Sequence, residues 1–159
     1  GAVEAGVAAL KAGTPIVTDT NMARSGINRT ACEALGVERL CYMADPEVAR
    51  QSKEQGTTRA AAAVDRWAGE HPGAVFAVGN APTALLRMAE LMEAGALRPA
   101  LVIGVPVGFV NVVESKERIW EVCRRMGVPA IAAMGRKGGS TVAAAVCNAL
   151  LYQAAGMRK

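Results

Sequence analysis

The sequence predicts an α/β domain in three layers: a mostly parallel five-stranded sheet with helices on both faces. Three observations predict it. Short apolar, β-branched runs alternate along the chain with longer segments of helical periodicity. Those runs lack polar alternation, as strands do when helices cover both sides of a sheet. Repeated strand–helix–strand connections require right-handed crossovers, and so parallel pairing. At 159 residues the chain is one domain of ordinary size, with no linker, low-complexity segment or internal repeat. It is 52% hydrophobic but only 4% aromatic, so helices and sheet should meet closely through small residues.

The elements follow in order. Residues 2–12 read as a short helix. TPIVTD (14–19) and ERLCYM (38–43) read as the first two strands. Residues 57–69 read as a helix starting at Thr57 or Thr58 and burying Ala60, Val64 and Trp67 at helical spacing. AVFAVGN (74–80) is the third strand. Residues 81–94 carry Leu85, Met88, Ala89 and Met92 on one helical face. ALVIGVP (100–106) is the fourth strand, and 112–126 a helix burying Ile119, Val122, Cys123 and Met126. PAIAAMG (129–135) is the fifth strand. Residues 141–154 are apolar nearly all round, which predicts a helix sandwiched between layers.

Composition excludes several functions. There are 18 basic and 14 acidic side chains, a net charge of +4, which favours anionic partners weakly. No lysine–arginine cluster is interleaved with aromatics, so nucleic acid is not an expected partner. The longest uncharged apolar stretch, 99–113, is broken by Pro106 and contains Asn111, and it is too short to cross a bilayer, so no membrane is expected. The cysteines at 32, 41, 123 and 147 have no C-x-x-C spacing, and the one histidine is far from them, so no metal site is expected. A reduced, cytoplasmic protein with buried thiols is the simplest account. There is no signal-peptide pattern. The chain begins at Gly1 without methionine, in mid-pattern, and an amino-terminal segment is expected to precede it.

Ligands of such sheets sit beyond the carboxyl ends of the strands. Four segments fall there: DTNMARSGINR (19–29), GNAPTAL (79–85), GVPVGF (104–109) and GRKGGST (135–141). In GRKGGST, glycines allow close approach, Ser140 or Thr141 can cap the next helix, and Arg136 and Lys137 supply positive charge. The segment has neither the Walker A order nor G-x-G-x-x-G. In GNAPTAL, Asn80 is the expected N-cap, Pro82 sits in the first turn, and Thr83 should face the strand end. Asn111 with Glu114 has the form of a capping box. That leaves Pro106 and Gly108 unexplained by capping. Asp19 reads as a ligand contact or a helix cap. Arg59 stands at a helix start, where the dipole disfavours a cation, and this suggests an anionic partner. His71, in GEHPG, reads as a solvated loop residue, and no Ser/His/Asp or Cys/His arrangement can be built with it. Each segment also reads as a plain turn or helix start, and the residues by themselves leave both readings open.

The segments together are more specific than any one. GNAPTALLRMAELMEAGALRPALVIGVPVGFVNVVESKE followed by GRKGGSTVAAAVCNAL resembles the precorrin-8X (cobalt-precorrin-8) methylmutase family of cobalamin biosynthesis. ALKAGTPIVTDTNMARSGI and GTTRAAAA resemble it too, so the similarity runs over essentially the whole chain. The resemblance implies a Rossmann-like fold, a homodimer, and no nucleotide or redox cofactor. It implies an isomerase that moves a methyl group from C-11 to C-12 of a corrin macrocycle, giving hydrogenobyrinate or its cobalt form. The partners would be a carboxylate-rich corrinoid substrate and product. Asp19, Asn28, Arg59, Asn80, Thr83, Pro106, Gly108, Arg136, Gly138, Gly139 and Ser140 fall in the segments it implies for the site. Pro106 and Gly108 would hold the rim rigid and free of bulky side chains beside a broad ring.

The family's catalytic histidine, an acid, lies upstream of ALKAGTPI, before Gly1. His71 does not match its motif, so no catalytic residue is expected in this chain, and the chain alone is expected to be inactive. A non-catalytic corrinoid-binding module is the alternative. A generic nucleotide-binding domain would need G-x-G-x-x-G after the first strand, where TDTNMARSG stands.

Overall fold

The computed structural model describes residues 1–157. The order of elements is α1 (Ala2–Lys11), β1 (Ile16–Thr18), α2 (Asn21–Gly26), α3 (Arg29–Leu35), β2 (Arg39–Cys41), α4 (Pro46–Gln55), α5 (Arg59–Glu70), β3 (Val75–Val78), α6 (Pro82–Glu93), β4 (Leu101–Gly104), α7 (Val112–Met126), β5 (Ala130–Ala132) and α8 (Ser140–Ala155). The five strands form one sheet in the order β2-β1-β3-β4-β5, and every pair is parallel. The α/β class and all five predicted strands are present. Each strand is shorter than its apolar run, because the last residues of each run leave the ladder and become the loops discussed below.

Each face of the sheet has its own core. Val17, Phe76, Val78 and Val102 point to one side and pack with α4 to α7, where Trp67, Leu85, Met88, Met92, Ile119 and Cys123 are buried. Ile16, Val75, Ala77, Leu101 and Ile103 point to the other and pack with α1, α2, α3 and α8. Trp67 stacks on Phe76 with ring centroids 5.3 Å apart. α8 packs against the sheet through Ala143, Cys147 and Leu151 and against α1 to α3 on its flanks, but Thr141, Val142, Ala145 and Ala149 stay exposed. It is therefore less enclosed than its apolar composition predicts, because small side chains can face water at little cost.

Three helices escape the periodicity test. α4 buries a single apolar residue, Val48, and so has no stripe to detect. Its ends are set locally: Asp45 accepts from the Glu47 amide at 2.8 Å, Pro46 opens the first turn, and Gly56 closes the helix at φ 64°. α2 and α3 are short, and their N-caps Thr20 and Asn28 accept from Ala23 and Ala31. Capping alone marks them. Among the described residues no helix is long and apolar enough to cross a membrane, and no group of metal-binding side chains is assembled.

The sheet order reverses between β1 and β3, since β1 leads to β2 on one side while β3 lies on the other. This switch point is where an open α/β sheet splays its loops and leaves a crevice.

Candidate functional site

At the switch point the chain's own carboxylate joins the ends of β1 and β3. Asp19, one residue past β1, accepts from the amide of Gly79 at 2.9 Å, Asn80 at 2.9 Å and Ala81 at 2.7 Å. It is 1% exposed. Burial raises its pKa above the ordinary carboxylate value, and the three amide bonds oppose that shift. These amides precede Pro82, the first residue of α6, so Asp19 fastens the loop before that helix to the end of β1 and meets the helix only at its N-cap, Ala81. Asn80 is not the cap. The N-cap position is Ala81, whose methyl offers no acceptor, and its own amide is the one end group of α6 that bonds Asp19. The Asn80 side chain is left exposed at the rim. An anion site at this helix start is thus occupied internally, which argues against a phosphate cradle there.

The segment after β5 packs on the ends of β3 and β4 without intervening side chains. A Cβ on Gly79 would lie 2.7 Å from the Ser140 Cα, and one on Gly138 would lie 2.0 Å from the Val105 carbonyl oxygen. The Gly139 amide donates to that same Val105 oxygen at 2.8 Å. Gly139 is the N-cap of α8 and Ser140 its first residue, so neither Ser140 nor Thr141 caps the helix. Instead the Ser140 hydroxyl bonds the Thr20 hydroxyl at 2.8 Å, tying the β5 loop to the β1 loop. Thr20 is itself held by Thr18, whose hydroxyl donates to its carbonyl at 2.8 Å.

The loop after β4 is held from the same side. Pro106 is buried, and the Gly108 amide reaches the Arg136 carbonyl at 3.5 Å. Gly108 has φ 134°, which only glycine adopts readily. The rim is not free of bulky groups, contrary to expectation: Phe109 is 80% and Val110 79% exposed. The Arg136 guanidinium lies 5.5 Å from the Phe109 ring centroid, a cation–π pair at the loop tip. The capping box is not formed either. Asn111 has φ 61°, and its side chain makes no cap bond, since a capping side chain needs an extended backbone. Its carbonyl accepts from the Ser115 amide, and the Ser115 hydroxyl donates to the Val112 carbonyl.

On the other side of the rim the first turns of α5 and α6 meet. Thr58 caps α5 by accepting from Ala61, and its hydroxyl donates to the Thr83 hydroxyl at 3.3 Å. Arg59 is exposed and makes one long contact, from Nη1 to the Met43 carbonyl at 3.5 Å. Thr58 and Thr83 border an open groove of about 390 Å³ with Gln55, Asp65 and Arg87. Asn28 lies elsewhere. Its side chain caps α3 and donates to the Tyr152 hydroxyl, while its amide donates to Asn148 of α8. Asn148 is eight residues into α8, about 12 Å along the axis from Ser140.

His71 ends α5 just before β3, at the amino edge of the sheet, so it faces away from this rim. Sequence reasoning missed Lys116 and Thr20. Lys116 is fully buried, and its Nζ donates to the carbonyls of Ala133, Gly135 and Lys137. It stands in register with Val112, Ile119 and Cys123 on the buried face of α7, so a charged residue on an apolar stripe was the available signal.

Arg59, Arg136 and Lys137 stand exposed around this backbone-lined rim. Comparison with known proteins agrees with the resemblance. The family model for precorrin-8X methylmutase matches residues 1–153. The cobalt-precorrin-8 methylmutase of Salmonella typhimurium is 50% identical over 140 residues, 86% of this chain and 62% of that protein. That of Priestia megaterium is 42% identical over 149 residues, covering 94% of this chain and 64% of that protein. A crystal structure of precorrin-8X methylmutase from Thermus thermophilus superposes with a TM-score of 0.87 at 44% identity, covering 98% of this chain and 74% of that one. The chain thus spans a little under two thirds of those two curated relatives. The chain belongs to the precorrin-8X methylmutase family.

Proposed function

We propose that the protein is an isomerase of corrin-ring biosynthesis that moves a methyl group from C-11 to C-12 of precorrin-8X or its cobalt form. The observation that carries the reading is the rim: a backbone-lined edge with its own anion site filled by Asp19, surrounded by outward cations. Such a surface suits a large, flat, carboxylate-rich ligand better than a nucleotide phosphate. Arg59 and Arg136 would take ring carboxylates, Asn80, Thr83 and Ser140 would supply neutral polar contacts, and Pro106, Gly108, Gly138 and Gly139 would form the wall. Asp19 and Asn28 would act from beneath, the first through the loop it holds before α6 and the second through α3, which it caps. The methylmutase names of the relatives support the reaction.

Reactant and product are isomers, so what the chain supplies is orientation of one ring conformation and placement of a proton. His71 is the only histidine and is misplaced for the second task. The acid is proposed to come from outside residues 1–159, and the working form is proposed to be a cytoplasmic homodimer. Visible-absorbance titration with hydrogenobyrinate tests binding, and conversion of precorrin-8X, followed by the product spectrum, tests catalysis. The expected result for residues 1–159 is binding without turnover. Absence of binding would remove the corrinoid reading. Turnover would place the acid within this chain. Sedimentation of the same sample decides the dimer.

A further inference from the structure

Beneath the rim surface lies a buried ion. Lys116 lies on the apolar face of α7 with no solvent exposure. A buried cation is costly unless its donors are matched. Its Nζ donates to the carbonyls of Ala133 at 2.6 Å, Gly135 at 2.8 Å and Lys137 at 2.7 Å. An ammonium has three donors, so its capacity is filled, and none of these partners cancels its charge. Burial lowers its pKa from the ordinary lysine value.

The acceptors alternate along the loop, at 133, 135 and 137. Among the described residues no peptide bond is cis, and in a trans peptide the N–H points opposite to the C=O. The amides of Met134, Arg136 and Gly138 share planes with those carbonyls, so they project away from the ammonium. None of the three donates to a protein acceptor among the described residues. Successive peptides of an extended chain point to opposite sides, which lets carbonyls two apart face one ion, and Gly135, at φ 82°, turns the loop between them. Successive backbone amides left without a protein acceptor, beside a buried positive charge, are the kind of donor set that binds an anion.

We propose that Lys116 is a positioning residue: by drawing three carbonyls inward it shapes the 133–139 loop so that the Met134, Arg136 and Gly138 amides meet a carboxylate of the ligand. The proposal rests on the corrinoid-binding reading, and the test separates the two.

In the first arm, the ¹⁵N-labelled chain is titrated with hydrogenobyrinate while binding is followed by visible absorbance. The expected result is that the amide signals of Met134, Arg136 and Gly138 move and saturate with the absorbance curve. Binding without movement of these signals overturns the Lys116 proposal and leaves the corrinoid reading standing. No binding overturns the corrinoid reading, and the proposal's ligand falls with it. In the second arm, Lys116→Ala is titrated alone, with n-propylammonium, which replaces the deleted atoms, and with 1-propanol, which replaces them without charge. Affinity is expected to fall about tenfold or more, the equivalent of one strong hydrogen bond, and to recover with the ammonium only. Unchanged affinity, or equal recovery with both additives or with neither, overturns the proposal. If Lys116→Ala does not fold, Lys116→Met, which keeps the apolar stem, is titrated in its place; wild-type affinity in that variant overturns the proposal.

Discussion

The two faces of the sheet and its carboxyl rim are held together by opposite means. On the faces, side chains of ordinary size interdigitate, and the small residues of α5 and α8 let helices lie close. At the rim, backbone meets backbone: Gly79 against Ser140, Gly138 against Val105, and three amides on one aspartate. A packed face can relax around a missing methyl. A backbone contact has no side chain to move. Adding one carbon to the rim should therefore cost more than removing several from the interior, and this contrast can be broken or sharpened by experiment.

The largest effect is expected for Gly138→Ala. Its Cβ would sit 2.0 Å from the Val105 oxygen, so the β4 and β5 loops must separate. The expected cost exceeds about 4 kcal/mol, read as loss of folded protein in denaturant melts. The interior benchmark is Leu85→Ala, expected at about 3 kcal/mol from lost transfer energy and the cavity left behind. If Leu85→Ala proves the more damaging, the rim is softer than its geometry states.

Asp19→Ala should also cost about 3 kcal/mol, because it removes the acceptor of three amides, that of Gly79 fully buried. A loss below about 1 kcal/mol would mean that solvent replaces the carboxylate. Arg59→Ala tests the rim's outer surface. Its guanidinium is exposed and has one weak protein contact, so melting should barely change. Hydrogenobyrinate binding should weaken by about 1.5–3 kcal/mol, as for a lost charge-assisted hydrogen bond. An unchanged affinity removes Arg59 from the site.

The smallest effect belongs to Gly69→Ala near the end of α5. A Cβ there meets nothing within 4 Å. Thermal melts should show a gain of up to about 1 kcal/mol from helix propensity. Destabilisation would show that the end of α5 needs glycine for a reason other than space.

Much of the fold was legible because its signals are local. The apolar runs at 16–18, 75–78 and 101–104 are buried on both faces and therefore lack alternation. α5, α6 and α7 carry their core residues at helical spacing. α4 carries one buried residue and escaped notice, although Asp45, Pro46 and Gly56 marked its ends. The rim segments were found as segments, by their place after the strands. The work of single residues within them was not. Asn80, Ser140 and Asn111 have the chemistry of caps, yet the first two stand one residue off the N-cap positions, Ala81 and Gly139, and Asn111 holds its position without a side-chain bond.

By itself the sequence determined the α/β class, the parallel sheet, the strand ends as the place to look, and the family, since periodicity and motif spacing are properties of the chain order. Only the tertiary structure decided that Asp19 fills the anion site at α6, that Gly79 and Gly138 are glycine for lack of space, and that Lys116 lies beneath the loop after β5. The reason is physical. A cap, a clash or a buried ion is defined by which atoms from distant parts of the chain come within about 3 Å, and that distance is set by packing.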